Sequence, residues 1–126
     1  MGLDTFRGKQ AIEFKLEALS TLRGPGAYMY VVDDTAIYIG ASRKVIGRVL
    51  ARNHDRREAF YGATSLLIFP CDSWAEAKEL ESCLIAECYP KLNMRNGAQK
   101  RAEKVCRALG VTPHHVITQY LTRPSA

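Results

Sequence analysis

The chain lacks the features that mark secreted and membrane proteins. It has four cysteines in 126 residues, and no two of them form a Cys-x-x-Cys pair. A zinc site of the usual spacing and a secreted disulfide framework are therefore disfavoured. No apolar leader opens the sequence, and no apolar run approaches the length of a membrane span. We expect reduced, buried thiols in a cytoplasmic protein with no membrane partner.

Internal repeats, low-complexity tracts and linker-like segments are also absent. The length corresponds to about one domain with a single core. Hydrophobic residues make up 47% and charged residues 25%, which is typical of a folded globular protein. The 18 Lys and Arg exceed the 13 Asp and Glu by five, which slightly favours a polyanionic partner such as nucleic acid.

Hydrophobic periodicity and turn residues predict eight elements in the order α-β-β-α-β-α-α-α. A β-hairpin around the turn at Asp33 and Asp34 is the clearest of them, and Ser73 with Glu76 forms a capping-box pattern. The order suggests a small α+β sandwich. The predicted segments are helix 4–22, strands 27–32 and 36–40, helix 43–53, strand 65–69, and helices 73–88, 97–109 and 112–121.

Glu81 stands out in the helix predicted over 73–88. The apolar stripe of this helix consists of Ala77, Leu80, Leu84 and Cys88. At about 100° per residue, Glu81 falls near the middle of the stripe. A carboxylate that faces the interior is costly unless it is paired or binds a metal. The helix by itself favours a salt bridge to an arginine, or a position at the rim of the domain.

Two tripeptides in the predicted hairpin, Gly26-Ala27-Tyr28 and Tyr38-Ile39-Gly40, resemble the paired motif of the GIY-YIG nucleases. Ala27 replaces the usual isoleucine, and nine residues separate the two tyrosines. The stretch that follows Tyr38 resembles the next helix of the family, with Arg48 at the position of the family's arginine.

Two further elements extend the resemblance. His54 stands where many members of the family carry a histidine. The stretch from Glu79 to Asn93 resembles the Leu-Glu-x-x-Leu-Ile…Pro-x-x-Asn segment that closes the family's domain, and it contains Glu81. Five separate elements therefore occur in the order of the family.

The resemblance implies an α+β fold, in which a small three-stranded antiparallel sheet is flanked by helices. The nuclease core would span 24–93, between an N-terminal helix in 1–23 and a C-terminal helical tail in 94–126. The implied activity is hydrolysis of DNA phosphodiester bonds by an endonuclease that uses Mg²⁺ or Mn²⁺, in DNA repair or in a mobile element. A protein that keeps the fold and binds nucleic acid without cutting it is the alternative.

The resemblance also implies roles for single residues. Glu81 would be the one protein ligand to the cation, since Mg²⁺ keeps several waters and shares phosphate oxygens. Arg48 would hold the scissile phosphate, although helical periodicity alone would place it on a solvated face. Tyr28, Tyr38 and His54 would surround the attacking water, and either Tyr28 or His54 would accept its proton. Cross-strand packing is the alternative role for the tyrosines.

Supporting and surface positions complete the set. Gly40 would provide the turn into the next helix, and Asn93 would tie the end of the core back to the site. A cluster of basic residues next to the site is expected to follow the phosphate backbone, with a plain solvated face as the alternative. Its members, besides Arg48, are Arg43, Lys44, Arg52, Arg56 and Arg57.

The tail from Ala108 to Leu121 resembles the turn and second helix of a helix-turn-helix. In that arrangement Val116 and Leu121 would pack inward. The candidates for DNA contact would be His114, His115, Thr118 and Gln119. Two helices packed on the nuclease core are the alternative arrangement. A targeting partner or a second copy of the chain could select the substrate, which the sequence does not define.

Overall fold

A computed structural model describes residues 23–50 and 63–123 of the chain. The helix predicted over 4–22 lies outside these residues. The same holds for His54 and for three members of the predicted basic cluster, which are Arg52, Arg56 and Arg57. The structure therefore bears on the remaining predicted site residues only.

The two ranges form three strands, four α-helices and one 3-10 helix. They are β1 (Gly26–Val32), β2 (Thr35–Ser42), α1 (Val45–Leu50), β3 (Ser65–Pro70), α2 (Trp74–Cys88), the 3-10 helix η1 (Lys91–Gly97), α3 (Ala98–Leu109) and α4 (Pro113–Thr122). Each strand and α-helix coincides with a predicted element to within a few residues. The helix η1 was not predicted.

The three strands form one antiparallel sheet in the order β2-β1-β3. The predicted α+β fold is confirmed. Asp33 and Asp34 form the hairpin turn with φ values of 47° and 65°, the positive values that a tight two-residue connection requires. Tyr28 is paired with Gly40, and Tyr30 with Tyr38. Since side chains alternate along a strand, these tyrosines share one face of the sheet.

The sheet separates two hydrophobic clusters. On the tyrosine face, Val45 and Val49 of α1 pack against Tyr28, Tyr30 and Ile68. The opposite face carries the larger cluster, which joins β1, β2 and β3 to α2, α3 and α4. Its buried side chains include Met29, Ile39, Phe69, Leu80, Leu84, Ala102, Cys106, Ile117 and Leu121.

The two C-terminal helices belong to this common core. Both α3 and α4 pack on α2, and the Tyr120 hydroxyl donates a 2.6 Å hydrogen bond to the Pro70 carbonyl at the end of β3. Arg123 donates hydrogen bonds of 3.0 and 2.9 Å to the Glu76 carboxylate in the first turn of α2. The side chains proposed for DNA contact, His114, His115, Thr118 and Gln119, are exposed. Across 23–50 and 63–123, no helix is both long and apolar enough to cross a membrane.

Candidate active site

Three tyrosines lie together on the α1 side of the sheet. The ring centres of Tyr28 and Tyr30 are 5.7 Å apart, and each of these rings lies 6.2 Å from the ring of Tyr38. Tyr28 and Tyr30 are buried, whereas Tyr38 is half-buried. Gly40 makes room for this tyrosine cluster, because a Cβ atom at position 40 would overlap the ring and hydroxyl of Tyr28.

Arg48 reaches the tyrosine cluster from α1. It is half-buried, and its side chain donates a hydrogen bond to the Tyr28 hydroxyl. The solvated face that periodicity alone assigns to Arg48 is therefore wrong, because α1 lies across the sheet and brings the long side chain back to it. Burial, and then the neighbouring Tyr38, raise the pKa of Tyr28 well above its usual range, while Arg48 opposes this shift. Tyr28 holds its proton at neutral pH.

Glu81 lies in a cleft between β2, α2 and α3. This Glu81 cleft has a volume of about 630 Å³, and its walls include Tyr38, Lys78, Asn93 and Arg101. Glu81 is half-buried, and burial raises the pKa of its carboxyl to about 7, an effect that Lys78 partly opposes. Within 23–50 and 63–123 the carboxylate forms no hydrogen bond or salt bridge. The salt bridge to an arginine, considered as the alternative, is not found there.

The carboxylate of Glu81 fits the requirements of a ligand to a divalent cation. It offers hard oxygen donors, it is partly desolvated, and it opens to a cleft that can admit water and phosphate. In the part of the chain that the structure describes, no three His, Cys, Asp or Glu side chains cluster to hold a metal. Glu81 would therefore share a cation with waters and substrate oxygens, which suits Mg²⁺.

Asn93 is hydrogen-bonded to Ile39 of β2 in the lining of the Glu81 cleft. Its Oδ1 accepts a 2.7 Å hydrogen bond from the Ile39 N–H, and its Nδ2 donates a 2.8 Å hydrogen bond to the Ile39 carbonyl. Because β2 is an edge strand, these backbone groups face away from β1. The buried side chain of Asn93 thus acts as a short replacement for a neighbouring strand.

Replacement of Asn93 by alanine is expected to lower the free energy of unfolding by about 2–4 kcal/mol, because two buried backbone groups lose their partner. Urea unfolding measures this change. Asn93→Asp provides the comparison: its carboxylate accepts from the Ile39 N–H but repels the Ile39 carbonyl until acid pH protonates it. Equal unfolding free energies for Asn93→Ala and the wild type would contradict the role given to these two hydrogen bonds.

The predicted site residues thus fall into two adjoining groups that share Tyr38. The tyrosine cluster contains Tyr28, with Arg48 and Gly40 beside it, and the Glu81 cleft contains Glu81 and Asn93. Arg43 and Lys44 are exposed at the connection between β2 and α1.

Sequence reasoning missed Tyr30 and Lys78. Strand alternation could have found Tyr30, which lies two residues after Tyr28. Helical spacing could have found Lys78, which lies three residues before Glu81.

Comparison with known proteins identifies the fold. No protein-family model and no curated protein matches the chain. Solved structures of the GIY-YIG N-terminal endonuclease domain of UvrC from Thermotoga maritima do match. The magnesium-bound domain is 22% identical over 64% of this chain and 100% of that domain, with a TM-score of 0.52. A variant with phenylalanine in place of a tyrosine, bound to its catalytic divalent cation, is 24% identical over 63% and 92%, also with a TM-score of 0.52. The chain has a GIY-YIG-like fold, as its motifs predicted.

Proposed function

We propose that the chain is a divalent-metal-dependent endonuclease that hydrolyses DNA phosphodiester bonds. The observation that carries this proposal is the Glu81 carboxylate, which is half-buried in an open cleft and has no partner in the described ranges. A group so placed costs folding free energy, and a ligand explains why it is kept. The fold supports the same reaction, because the similar UvrC domain is an endonuclease with a catalytic divalent cation.

Glu81 and Arg48 would act on the phosphate from two sides. A cation bound by Glu81, Mg²⁺ or Mn²⁺, would supply positive charge beside the phosphate oxygens. The Arg48 guanidinium is a positively charged group with five N–H donors, and it donates one hydrogen bond to the Tyr28 hydroxyl. The guanidinium would bind the scissile phosphate and stabilise the charge that develops on it.

The tyrosines would orient the attacking water. Since Tyr28 keeps its proton, its hydroxyl accepts from Arg48 and has its own O–H to donate. Tyr28 then fixes the position of Arg48 and orients water or phosphate, instead of removing a proton. Tyr38 borders both groups of site residues and would line the path between them. This assignment leaves His54 as the candidate for the proton acceptor.

Purified protein tested on duplex, flap, junction and single-stranded DNA is expected to cut at least one of them when Mg²⁺ or Mn²⁺ is present, and none after chelation by EDTA. Gel electrophoresis of end-labelled strands measures both cleavage and substrate preference. Folded protein that binds DNA but cuts none of the four substrates with either metal would contradict the enzymatic proposal and support the binding-module alternative.

A further inference from the structure

Two cations meet on one aromatic ring beside the Glu81 cleft. The guanidinium carbon of Arg43 lies 5.2 Å from the ring centre of Trp74, and the Lys78 Nζ lies 5.8 Å from it. Trp74 is half-buried, whereas Arg43 and Lys78 are exposed. We call these three residues the Trp74 patch.

The arrangement concentrates positive charge on one small surface. Each cation is attracted by the face of the indole ring, but the two like charges repel each other. Within residues 23–50 and 63–123, neither Arg43 nor Lys78 forms a salt bridge with a carboxylate. An anion bound by both cations would relieve this repulsion, so the Trp74 patch has the chemistry of an anion-binding surface.

The Trp74 patch adjoins the Glu81 cleft through Lys78. Trp74, Lys78 and Glu81 follow one another along α2 at spacings of four and three residues, which places them on the same side of the helix. Lys78 therefore lines the cleft while it also contacts the indole ring. Arg43 joins from the loop between β2 and α1, close in sequence to Arg48.

We propose that Arg43 and Lys78, held over Trp74, bind a backbone phosphate of the DNA strand next to the phosphate that is cut. This inference rests on the proposed function, because it assumes a DNA strand in the Glu81 cleft. The patch would bind without regard to base sequence and would place the strand for cleavage. Trp74 is a positioning residue here, since it orders two long side chains that would otherwise be mobile.

Binding can be measured without cleavage. The Glu81→Gln protein is titrated, in EDTA, into a fluorescein-labelled 20-base-pair duplex. EDTA removes the cation, and the substitution removes the charge that Lys78 faces. In this background Arg43→Gln and Lys78→Gln are each expected to weaken binding about five- to tenfold at 100 mM salt. Each should also reduce the slope of log K against log salt by about 0.9. Arg107→Gln is the matched control, because Arg107 is exposed on α3 and lies outside the Glu81 cleft.

The fluorescence of Trp74 gives a second measurement of DNA binding. Trp74 is the single tryptophan of the chain, so its emission reports on this patch alone. The emission is expected to change on addition of the duplex, with the same midpoint as the fluorescein signal. Trp74→Leu should weaken binding about two- to threefold and reduce the effect of Arg43→Gln, since that arginine is no longer held in place. Trp74→Phe keeps a ring and should restore most of the loss.

The proposal is overturned if Arg43→Gln and Lys78→Gln bind as tightly as Arg107→Gln, or if Trp74 emission is unchanged at saturation. Its failure is separate from failure of the nuclease proposal. If the protein cuts DNA but these substitutions do not change its binding, the nuclease proposal stands and the proposal for the Trp74 patch fails. If the protein never cuts DNA but binds it through Arg43 and Lys78, the nuclease proposal fails and the Trp74 patch is a phosphate-binding surface of a binding module.

Discussion

Replacing Glu81 with glutamine is expected to lower the rate of metal-dependent DNA cleavage by about a thousandfold or more. The amide has nearly the same shape as the carboxylate, but it carries no charge and binds a divalent cation poorly. Glu79 also lines the cleft, but no three His, Cys, Asp or Glu side chains cluster to hold a metal in residues 23–50 and 63–123, so the loss of Glu81 leaves no ready-made metal site there. Initial rates of strand cleavage at saturating Mg²⁺ measure the effect.

Glu87→Gln is the matched control. Glu87 lies on the same helix and is half-buried, but it faces His114 at 3.4 Å and does not line the Glu81 cleft. The Glu87→Gln protein is expected to cut DNA at the wild-type rate. Cleavage by Glu81→Gln within tenfold of the wild type would show that Glu81 is not the essential ligand. Equal losses in both variants would point to a general effect on α2.

Glu81→Gln is also expected to increase the stability of the fold, by an amount that depends on pH. Burial raises the pKa of Glu81 from 4.5 to about 7, so the native state binds more protons than the unfolded chain between these values. The stability of the wild type therefore falls as pH rises through that window, and the loss is complete above it. Glu81→Gln escapes this loss, so it should be more stable than the wild type by about 1–3 kcal/mol at pH 8 and nearly equal at pH 4.

Thermal unfolding with and without metal separates this effect from a structural role. Mg²⁺ is expected to stabilise the wild type more at pH 8 than at pH 6, because the cation competes with the proton for the Glu81 carboxylate. The Glu81→Gln protein should show no such increase. A stability difference that is independent of pH would mean that the pKa of Glu81 is the same in the folded and the unfolded chain.

Most of the fold follows from local signals. The hairpin turn at Asp33 and Asp34 and the cap at Ser73 are short-range features, and the structure has both of them where the sequence predicted. Glu81 also follows from local reasoning, because its place on the apolar stripe of α2 is a property of one helix. The 3-10 helix η1 carries no comparable periodic signal, and the hydrogen bonds of its Asn93 side chain are long-range, because they join it to Ile39 of β2.

The rest of the candidate site depends on tertiary packing. Helical periodicity places Arg48 in solvent, and only the crossing of α1 over the sheet brings it to Tyr28. The contact of Arg43 with Trp74 joins residues 31 positions apart and has no sequence pattern. The resemblance supplied the role of Arg48 because a family motif carries information about packing that composition and spacing do not contain. It supplied nothing for Trp74, which lies outside the motifs.

Gly40→Ala is expected to destabilise the fold and disable the site together. The new Cβ would overlap the end of the Tyr28 ring, and this ring has no free space, because it is buried between Tyr30, Tyr38 and α1. Overpacking of this kind costs about 1–3 kcal/mol, and it displaces the hydroxyl that Arg48 binds. The free energy of unfolding in urea and the cleavage rate, measured on the same preparation, should both fall. The rate should fall by about a hundredfold or more, because misplacement of a catalytic group by an ångström has an effect of that size.

Gly47→Ala distinguishes this clash from a general effect of adding a methyl group. Gly47 lies in α1, and a Cβ there meets only the Lys44 Cβ at 4.0 Å, so this variant should gain about 0.5–1 kcal/mol from helix propensity. A shorter side chain at position 28 tests the contact itself. In a Tyr28→Leu background, Gly40→Ala should cost much less than in the wild type, because the atoms that it meets are gone. An equal cost in both backgrounds would place the strain in the backbone of β2, and Gly40 would then be needed for the strand and not for the tyrosine.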